Sequence, residues 1–187
     1  MKEQIQDNFN TDCLEKIAYN CTIENVFPIR TTKPEAGNKY YIRTVNGGWN
    51  DAILGNPLDK DCNVLSNCVG YANGRFAEII GKDKIEYQLI TNAENFIEVA
   101  KEYGLQISEI PTLGGIVVWK KGTLSGKDGV GHVAIVEKII DTNTIYTSES
   151  NYGSFAFANI TRKNLFGNWG LDNSYEFIGC IKNPIIK

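Results

Sequence analysis

The stretch LSNCVGYANGRFAEII, residues 65–80, is the one on which the prediction of the fold depends. It begins with small polar residues and then becomes apolar at helical spacing. Either Ser66 or Asn67 can cap the helix, which puts Cys68 in its first turn. Unpaired backbone N–H groups and the positive end of the helix dipole favour a thiolate there, and the thiolate is the nucleophilic form. We therefore expect a reactive cysteine at the start of a buried helix, with a buried structural cysteine as the alternative.

The composition is that of a soluble globular protein, with 42% hydrophobic and 22% charged residues in 187 and a net charge of −3. This length predicts a single domain over residues 1–187. No basic run with interleaved aromatic residues is present, so nucleic acid is not an expected partner. No apolar run is long enough to span a membrane.

The sulfur and imidazole groups limit the chemistry. An odd number of cysteines leaves at least one unpaired, and none of them forms a CxxC pair; they are Cys13, Cys21, Cys62, Cys68 and Cys180. His132 is the only histidine, so any mechanism that needs an imidazole has one candidate. A metal site with two histidines is excluded.

The order of the predicted elements indicates an α+β fold. Thr91 and Glu94 form a capping-box pattern that predicts a second helix, ending at Gly104. The pattern then changes to short apolar strands, which begin near Ile116 and continue to Ile181. Because helices come first and strands follow, we predict helices packed on a mainly antiparallel sheet.

A predicted hairpin brings polar residues together. A turn at 141–143 pairs residues whose numbers add up to about 284, to within one or two residues. His132 then lies opposite Glu149 and Asn151, which are two residues apart and therefore on one face. An imidazole can take a proton from a thiol, and a third polar group can orient the ring. Together with Cys68 this predicts a site for nucleophilic catalysis, although each residue alone has a structural explanation.

Four stretches of the chain resemble a known family. In order they are NVLSNCVGYANGRF (63–76), GGIVVWKKG (114–122), GHVAIVEKI (131–139) and YTSESNYG (146–153). The combination is similar to the CHAP domain, the cysteine, histidine-dependent amidohydrolase/peptidase family. The similarity is greatest to endolysins of phages that infect Gram-positive bacteria. It covers about residues 40–183, which implies a core over these residues and an N-terminal arm at 1–39.

The resemblance implies a papain-like fold and cleavage of an amide bond in peptidoglycan. The bond would be that of N-acetylmuramoyl-L-alanine or a peptide bond of the cross-bridge. Carried over to this sequence, Cys68 is the nucleophile, His132 the base and Glu149 the orienting residue. Asn151 is a further polar residue of the site. The N–H of Cys68, helped by the amide of Asn67, would stabilise the oxyanion.

The same resemblance raises the question of calcium. Asp59, Asp61 and Asn63 alternate as oxygen ligands would, but position 70 is Gly where calcium-binding relatives have a carboxylate. A solvated acidic loop is therefore the favoured interpretation, and we expect no required cofactor.

The N-terminus has no apolar segment typical of a signal peptide. We expect a protein made in the cytoplasm that acts on the cell wall after release. Peptidoglycan is the expected partner, and a monomer is the expected state. Endolysins usually carry a wall-binding module after the catalytic domain, and two interpretations of the ending CIKNPIIK are open: a stand-alone hydrolase, or the catalytic part of a longer protein.

Three alternatives remain open. A cell-wall peptidase of the NlpC type belongs to the same superfamily and differs around the histidine. A catalytically silent module that binds the wall or a partner protein belongs to another class, but would not need Cys68, His132 and Glu149. An amide-cleaving toxin with a cytosolic substrate is the third alternative.

Overall fold

The computed structural model describes residues 26–35, 38–41, 67–81, 87, 89, 91–121, 130–151 and 157–187. Within these residues there are two α-helices, α1 (Cys68–Ile80) and α2 (Phe96–Glu102), and six strands. The strands are β1 (Ile107–Ser108), β2 (Ile116–Lys121), β3 (His132–Asp141), β4 (Thr144–Ser150), β5 (Phe157–Lys163) and β6 (Tyr175–Ile181). Residues 1–25 of the predicted N-terminal arm lie outside the described residues.

The strands form one sheet in the order β1-β6-β2-β3-β4-β5, and every neighbouring pair is antiparallel. The α+β prediction is therefore confirmed. In the hairpin of β3 and β4, Ile135 pairs with Ser148 and Ile139 with Ile145. The residue numbers of these two pairs add up to 283 and 284, and a bulge at Glu137 lies between them. The predicted sum of about 284 is therefore correct within its tolerance.

The sheet is covered on both faces. Helix α1 packs on β3 and β4, and its apolar side chains join Val118, Val133 and Ile135 in the larger core. Alternate residues of the same strands point to the other face, because side chains alternate along a strand. There Trp119, Ala134 and other residues form a second, smaller core.

Helix α1 begins and ends where its sequence predicts. The side chain of Asn67 accepts a hydrogen bond from the N–H of Gly70 at 2.8 Å, which makes Asn67 the N-cap. Gly81 ends the helix in the left-handed conformation, with a φ of 74°. Gly74 allows the ring of Tyr41 to approach the helix backbone, where a Cβ would clash with it.

The second helix differs from its prediction. Ala93–Asn95 form one 3-10 turn, and the α-helix begins only at Phe96. The expected capping box is absent: the N–H of Thr91 donates to the carbonyl of Leu89, and Oε2 of Glu94 is buried without a partner among the described residues. This start of the helix instead lies against the end of the loop before β3, since the N–H of Glu94 donates to the carbonyl of Val130.

A buried ion pair joins α1 to the sheet. Arg75 of α1 donates to both carboxylate oxygens of Glu137 in β3, at 2.8 Å each. Ser148 of β4 donates to the same carboxylate at 2.6 Å, and the N–H of Arg30 does so at 3.2 Å. Both charges are almost fully buried, with 3% and 0% of the side chain exposed. The helix and two strands are thereby held by one carboxylate.

The described residues between 26 and 41 contact this same network. They lie at the boundary between the predicted arm and the predicted core. The side chain of Arg30 pairs with Glu78, and the carbonyl of Pro28 accepts from Arg75 at 2.6 Å. Tyr41 donates to Glu78 at 3.0 Å. This segment therefore packs on the back of α1. In the described part of the chain, no helix has the length and apolar character needed to cross a membrane.

Replacing Glu137 by Gln should lower the free energy of unfolding by about 3 kcal/mol, because Arg75 then loses its buried counter-charge. The control is Glu98→Gln, which removes an exposed ion pair with Lys101 on α2 and should cost less than about 0.5 kcal/mol. Urea denaturation measures both. Equal costs for the two variants would contradict the role given to the buried pair.

Candidate active site

Cys68 is the first residue of α1 and is 9% exposed. Asn67 caps the helix, so the first backbone N–H groups lie beside the thiol. The N-terminus of a helix favours negative charge through these groups and through the helix dipole. The position expected for a nucleophilic thiolate is therefore present, and Cys68 forms no disulfide.

His132 is the first residue of β3, and its Nε2 lies 2.9 Å from Oε2 of Glu149. Since the carboxylate accepts, Nε2–H is the donor, and Nδ1 is the ring nitrogen left for the thiol. Gly131 leads into the strand with a φ of 64°, where a Cβ would clash with the carbonyl of Trp119. Only glycine fits this close approach, which sets the direction in which His132 enters the site.

Glu149 is buried near the end of β4 and is held from two sides. Besides the bond from His132, Nη2 of Arg162 in β5 donates to Oε1 at 2.7 Å and to Oε2 at 2.8 Å. Arg162 was not among the residues predicted for the site. A buried carboxylate on an inner strand needs a cationic partner, but Arg162 lies opposite Ile145 in the register of β4 and β5, whereas Ala158 lies opposite Glu149, so strand pairing alone would not have identified it.

The indole of Trp119 packs beside this polar chain. Its ring centre lies 5.8 Å from that of His132, and the guanidinium carbon of Arg162 lies 5.0 Å from the ring centre. Its Nε1–H donates to the carbonyl of Asn168 at 2.9 Å, which fixes the indole. The hydrogen bonds of His132, Glu149 and Arg162 therefore lie against an apolar wall, where electrostatic interactions are stronger than in water.

These contacts shift the pKa of both ionisable partners. Burial lowers the pKa of His132, but hydrogen bonds and charge interactions with Cys68 and Glu149 outweigh it and raise the pKa to about 9. Burial raises the pKa of Glu149, but the interactions with His132 and Arg162 outweigh it and lower that pKa. At neutral pH the ring of His132 is therefore charged, and it lies between Cys68 and the ionised carboxylate of Glu149.

The remaining predicted residues are placed as follows. Asn151 follows β4 and is exposed, and it makes no hydrogen bond to His132 among the described residues. Asn67 uses its side-chain oxygen to cap α1. Cys180 is fully buried beside Thr112, and burial raises the pKa of its thiol to about 11. Residues outside the described ranges include Cys13, Cys21, Cys62, Asp59, Asp61 and Asn63.

The described residues contain no group of three or more His, Cys, Asp or Glu side chains arranged to hold a metal ion. The predicted calcium ligands are not among them, so the question of calcium stays a prediction.

The fold and the site define a class of protein: an α+β domain in which a cysteine at a helix start meets a histidine and a glutamate of an antiparallel sheet. Residues 59–151 match the model of the CHAP domain family. The chain therefore carries a CHAP domain.

One solved structure that is similar to this chain is the N-acetylmuramoyl-L-alanine amidase from Staphylococcus aureus. The two are 28% identical, with a TM-score of 0.42. The match covers 51% of this chain and 26% of the amidase chain, so this match spans about a quarter of that protein. No curated protein matches the chain.

Because His132 is the only histidine, its ring can be titrated by NMR without assignment by mutation. We expect a midpoint near pH 9 in the wild-type protein and lower midpoints in Cys68→Ala and Glu149→Gln, since each replacement removes an interaction that raises the pKa. The stabilisation from the charged ring is complete below the unfolded pKa of about 6.5 and is lost as the pH rises through 9. A wild-type midpoint near 6.5 would contradict the contacts described, and Glu98→Gln is the control.

Proposed function

We propose that this protein is a peptidoglycan hydrolase that cleaves an amide bond with Cys68 as nucleophile. The observation that carries the proposal is the chain of contacts from Cys68 through His132 to Glu149, inside a domain of the CHAP family. A thiol, a base and an orienting carboxylate are the groups that nucleophilic cleavage of an amide requires.

The geometry supports a definite sequence of steps. In the reacting pair the proton of Sγ of Cys68 lies on Nδ1 of His132, while Nε2–H stays bound to Glu149. The thiolate attacks the carbonyl carbon of the amide, and the charge that forms on the oxygen lies beside the N–H groups at the start of α1. The carbon–nitrogen bond then breaks, and His132 gives its proton to the leaving amine.

Hydrolysis completes the cycle. His132 takes a proton from water, and the resulting hydroxide attacks the thioester formed on Cys68. The carbon–sulfur bond breaks, which releases a carboxylic acid and restores the thiol. Water and one amide are consumed, and one amine and one acid are produced. Every proton in these steps is carried by His132.

The finer identity of the substrate is also part of the proposal. We favour an amide of the bacterial cell wall, either the bond between N-acetylmuramic acid and L-alanine or a peptide bond of the cross-bridge. The solved amidase that resembles this chain acts, by its name, on the first of these bonds. Residues 122–129 and 152–156 lie outside the described residues, so product analysis has to separate the two bonds.

Replacing Cys68 by Ala or Ser should reduce lysis of purified walls to background, because no nucleophile remains. Cys180→Ala is the control, since that thiol is buried away from the site, and most activity should remain. The decrease in turbidity measures lysis, and mass spectrometry of the released fragments identifies the bond. Wild-type lysis by Cys68→Ala would refute the mechanism. If the wild-type protein cleaves no walls and Cys68 does not react with an alkylating reagent, a silent binding module is favoured. If Cys68 reacts but walls stay intact, another amide substrate is favoured.

Glu149 and Asn151 should differ in their effect on the rate. Glu149 is buried, accepts a hydrogen bond from Nε2 of His132 and supplies a negative charge. Glu149→Gln should therefore lower kcat by roughly one to three orders of magnitude. Asn151 is exposed and neutral, so Asn151→Ala should cost about tenfold. Initial rates of wall lysis at matched folding, checked by circular dichroism, compare the two. A much larger effect of Asn151→Ala would transfer the orienting role to Asn151.

A further inference from the structure

We propose that Arg162 is a positioning residue of this site, which holds the Glu149 carboxylate in the orientation that His132 needs. The inference rests on the proposed function, because it assigns Arg162 a role in the same hydrolysis. Its evidence is the geometry of the contacts around Glu149, together with the change of charge that His132 undergoes during the reaction.

Arg162 contacts both oxygens of the carboxylate, whereas His132 contacts only one. Nη2 of Arg162 lies 2.7 Å from Oε1 and 2.8 Å from Oε2, and the imidazole shares Oε2 at 2.9 Å. A carboxylate held only by His132 could rotate about its terminal bond and still keep one hydrogen bond. With Arg162 in place, the plane of the carboxylate is fixed, and so is the direction of its bond to the ring.

Arg162 is itself fixed by contacts that a lysine would not reproduce. Its Nε–H donates to Oγ1 of Thr147 at 3.2 Å, and Nη1 donates to the carbonyl of Gly170 at 3.4 Å. Its guanidinium lies over the ring of Trp119. Lysine has one ammonium group and no planar surface, so it keeps the charge but loses this set of directions.

The reaction explains why a permanent cation is needed here. Glu149 is 2% exposed, and a buried carboxylate without a counter-charge is strongly unfavourable. His132 is charged after it takes the proton of Cys68 but neutral once it has given that proton to the leaving amine. Arg162 stays charged throughout, because a guanidinium does not lose its proton in this pH range. Glu149 therefore remains ionised and in place while His132 changes its charge.

The charged groups that face Glu149 determine how the loss of Arg162 changes the pH dependence of the rate. Among the described residues they are His132 from β3 and Arg162 from β5, with Cys68 from α1 acting through the imidazole. Loss of Arg162 removes a cause of the lowered pKa of Glu149, so that carboxylate takes up a proton at higher pH. The acid side of the pH–rate profile should then move to higher pH.

The test is a double-mutant cycle of Arg162→Gln and Glu149→Gln, read by the initial rate of wall lysis per folded molecule. Arg162→Gln alone should lower the rate roughly 10- to 100-fold and move the acid side of the profile upward. In the Glu149→Gln background it should cost less than about threefold, because Arg162 acts through Glu149. Full additivity of the two effects would overturn the proposal.

Arg162→Lys serves as the milder variant and Arg30→Lys as its control, because Arg30 is also a largely buried arginine that pairs with a glutamate, Glu78 in the last turn of α1. We expect Arg162→Lys to be slower than wild type and faster than Arg162→Gln. Arg30→Lys should be less stable but keep the wild-type rate and pH profile per folded molecule. If Arg162→Lys behaved like Arg30→Lys, Arg162 would be a structural residue only.

A second measurement tests the role of Arg162 independently of the proposed function. The rate at which iodoacetamide alkylates Cys68, measured by mass spectrometry of its peptide, depends on the thiolate and needs no wall. The same non-additive cycle in alkylation would support Arg162 even if the wild-type protein left walls intact, which would refute the hydrolase. Normal wall lysis with an alkylation rate and profile unaffected by Arg162→Gln would refute Arg162 alone.

Discussion

The ion pair between Arg75 and Glu137 is the contact on which the relative position of the two reacting groups depends. Arg75 lies on the helix that begins with Cys68, and Glu137 lies on the strand that begins with His132. Packing of apolar side chains alone would allow the helix to slide along the sheet at little cost. Two charge-assisted hydrogen bonds between buried groups restrict that movement, since any shift leaves a buried charge without its partner.

A second buried arginine–glutamate pair, between β4 and β5, has a different use. Glu137 is surrounded by donors that do not change their charge, namely Arg75, Ser148 and the N–H of Arg30. Glu149 instead shares its carboxylate between Arg162 and the imidazole of His132. The first pair joins elements of structure. The second pair transmits charge to a group that can gain and lose a proton.

The surroundings of His132 are suited to a proton carrier in the proposed reaction. Its ring is held on one nitrogen by Glu149 and lies beside the indole of Trp119. A raised pKa near 9 means that the charged ring is the stable form at neutral pH, which favours a thiolate–imidazolium pair over two neutral groups. The CHAP domain at residues 59–151 includes Cys68, His132 and Glu149, but Arg162 lies beyond this match.

Local signals in the sequence determined the start of α1, the order of helices before strands and the register of the β3–β4 hairpin. Each of these depends on residues close together in the chain: Asn67 beside Cys68, or a turn between two apolar runs. They sufficed to bring Cys68, His132 and Glu149 together as candidates. Helix α2 was less well predicted, because Glu94 contacts the loop before β3 instead of capping its own helix.

Only the tertiary structure decided which charges neutralise one another. Arg75 and Glu137 are 62 residues apart in the chain, and Arg162 reaches Glu149 from the neighbouring strand. No spacing rule connects the two residues of either pair. It also decided between Glu149 and Asn151 as the partner of the imidazole nitrogen, since both lie on one face and both can accept a hydrogen bond. Burial separates them: the carboxylate is enclosed between Arg162 and His132, whereas the amide is exposed. That difference depends on what packs above each residue, which the order of residues along one strand does not contain.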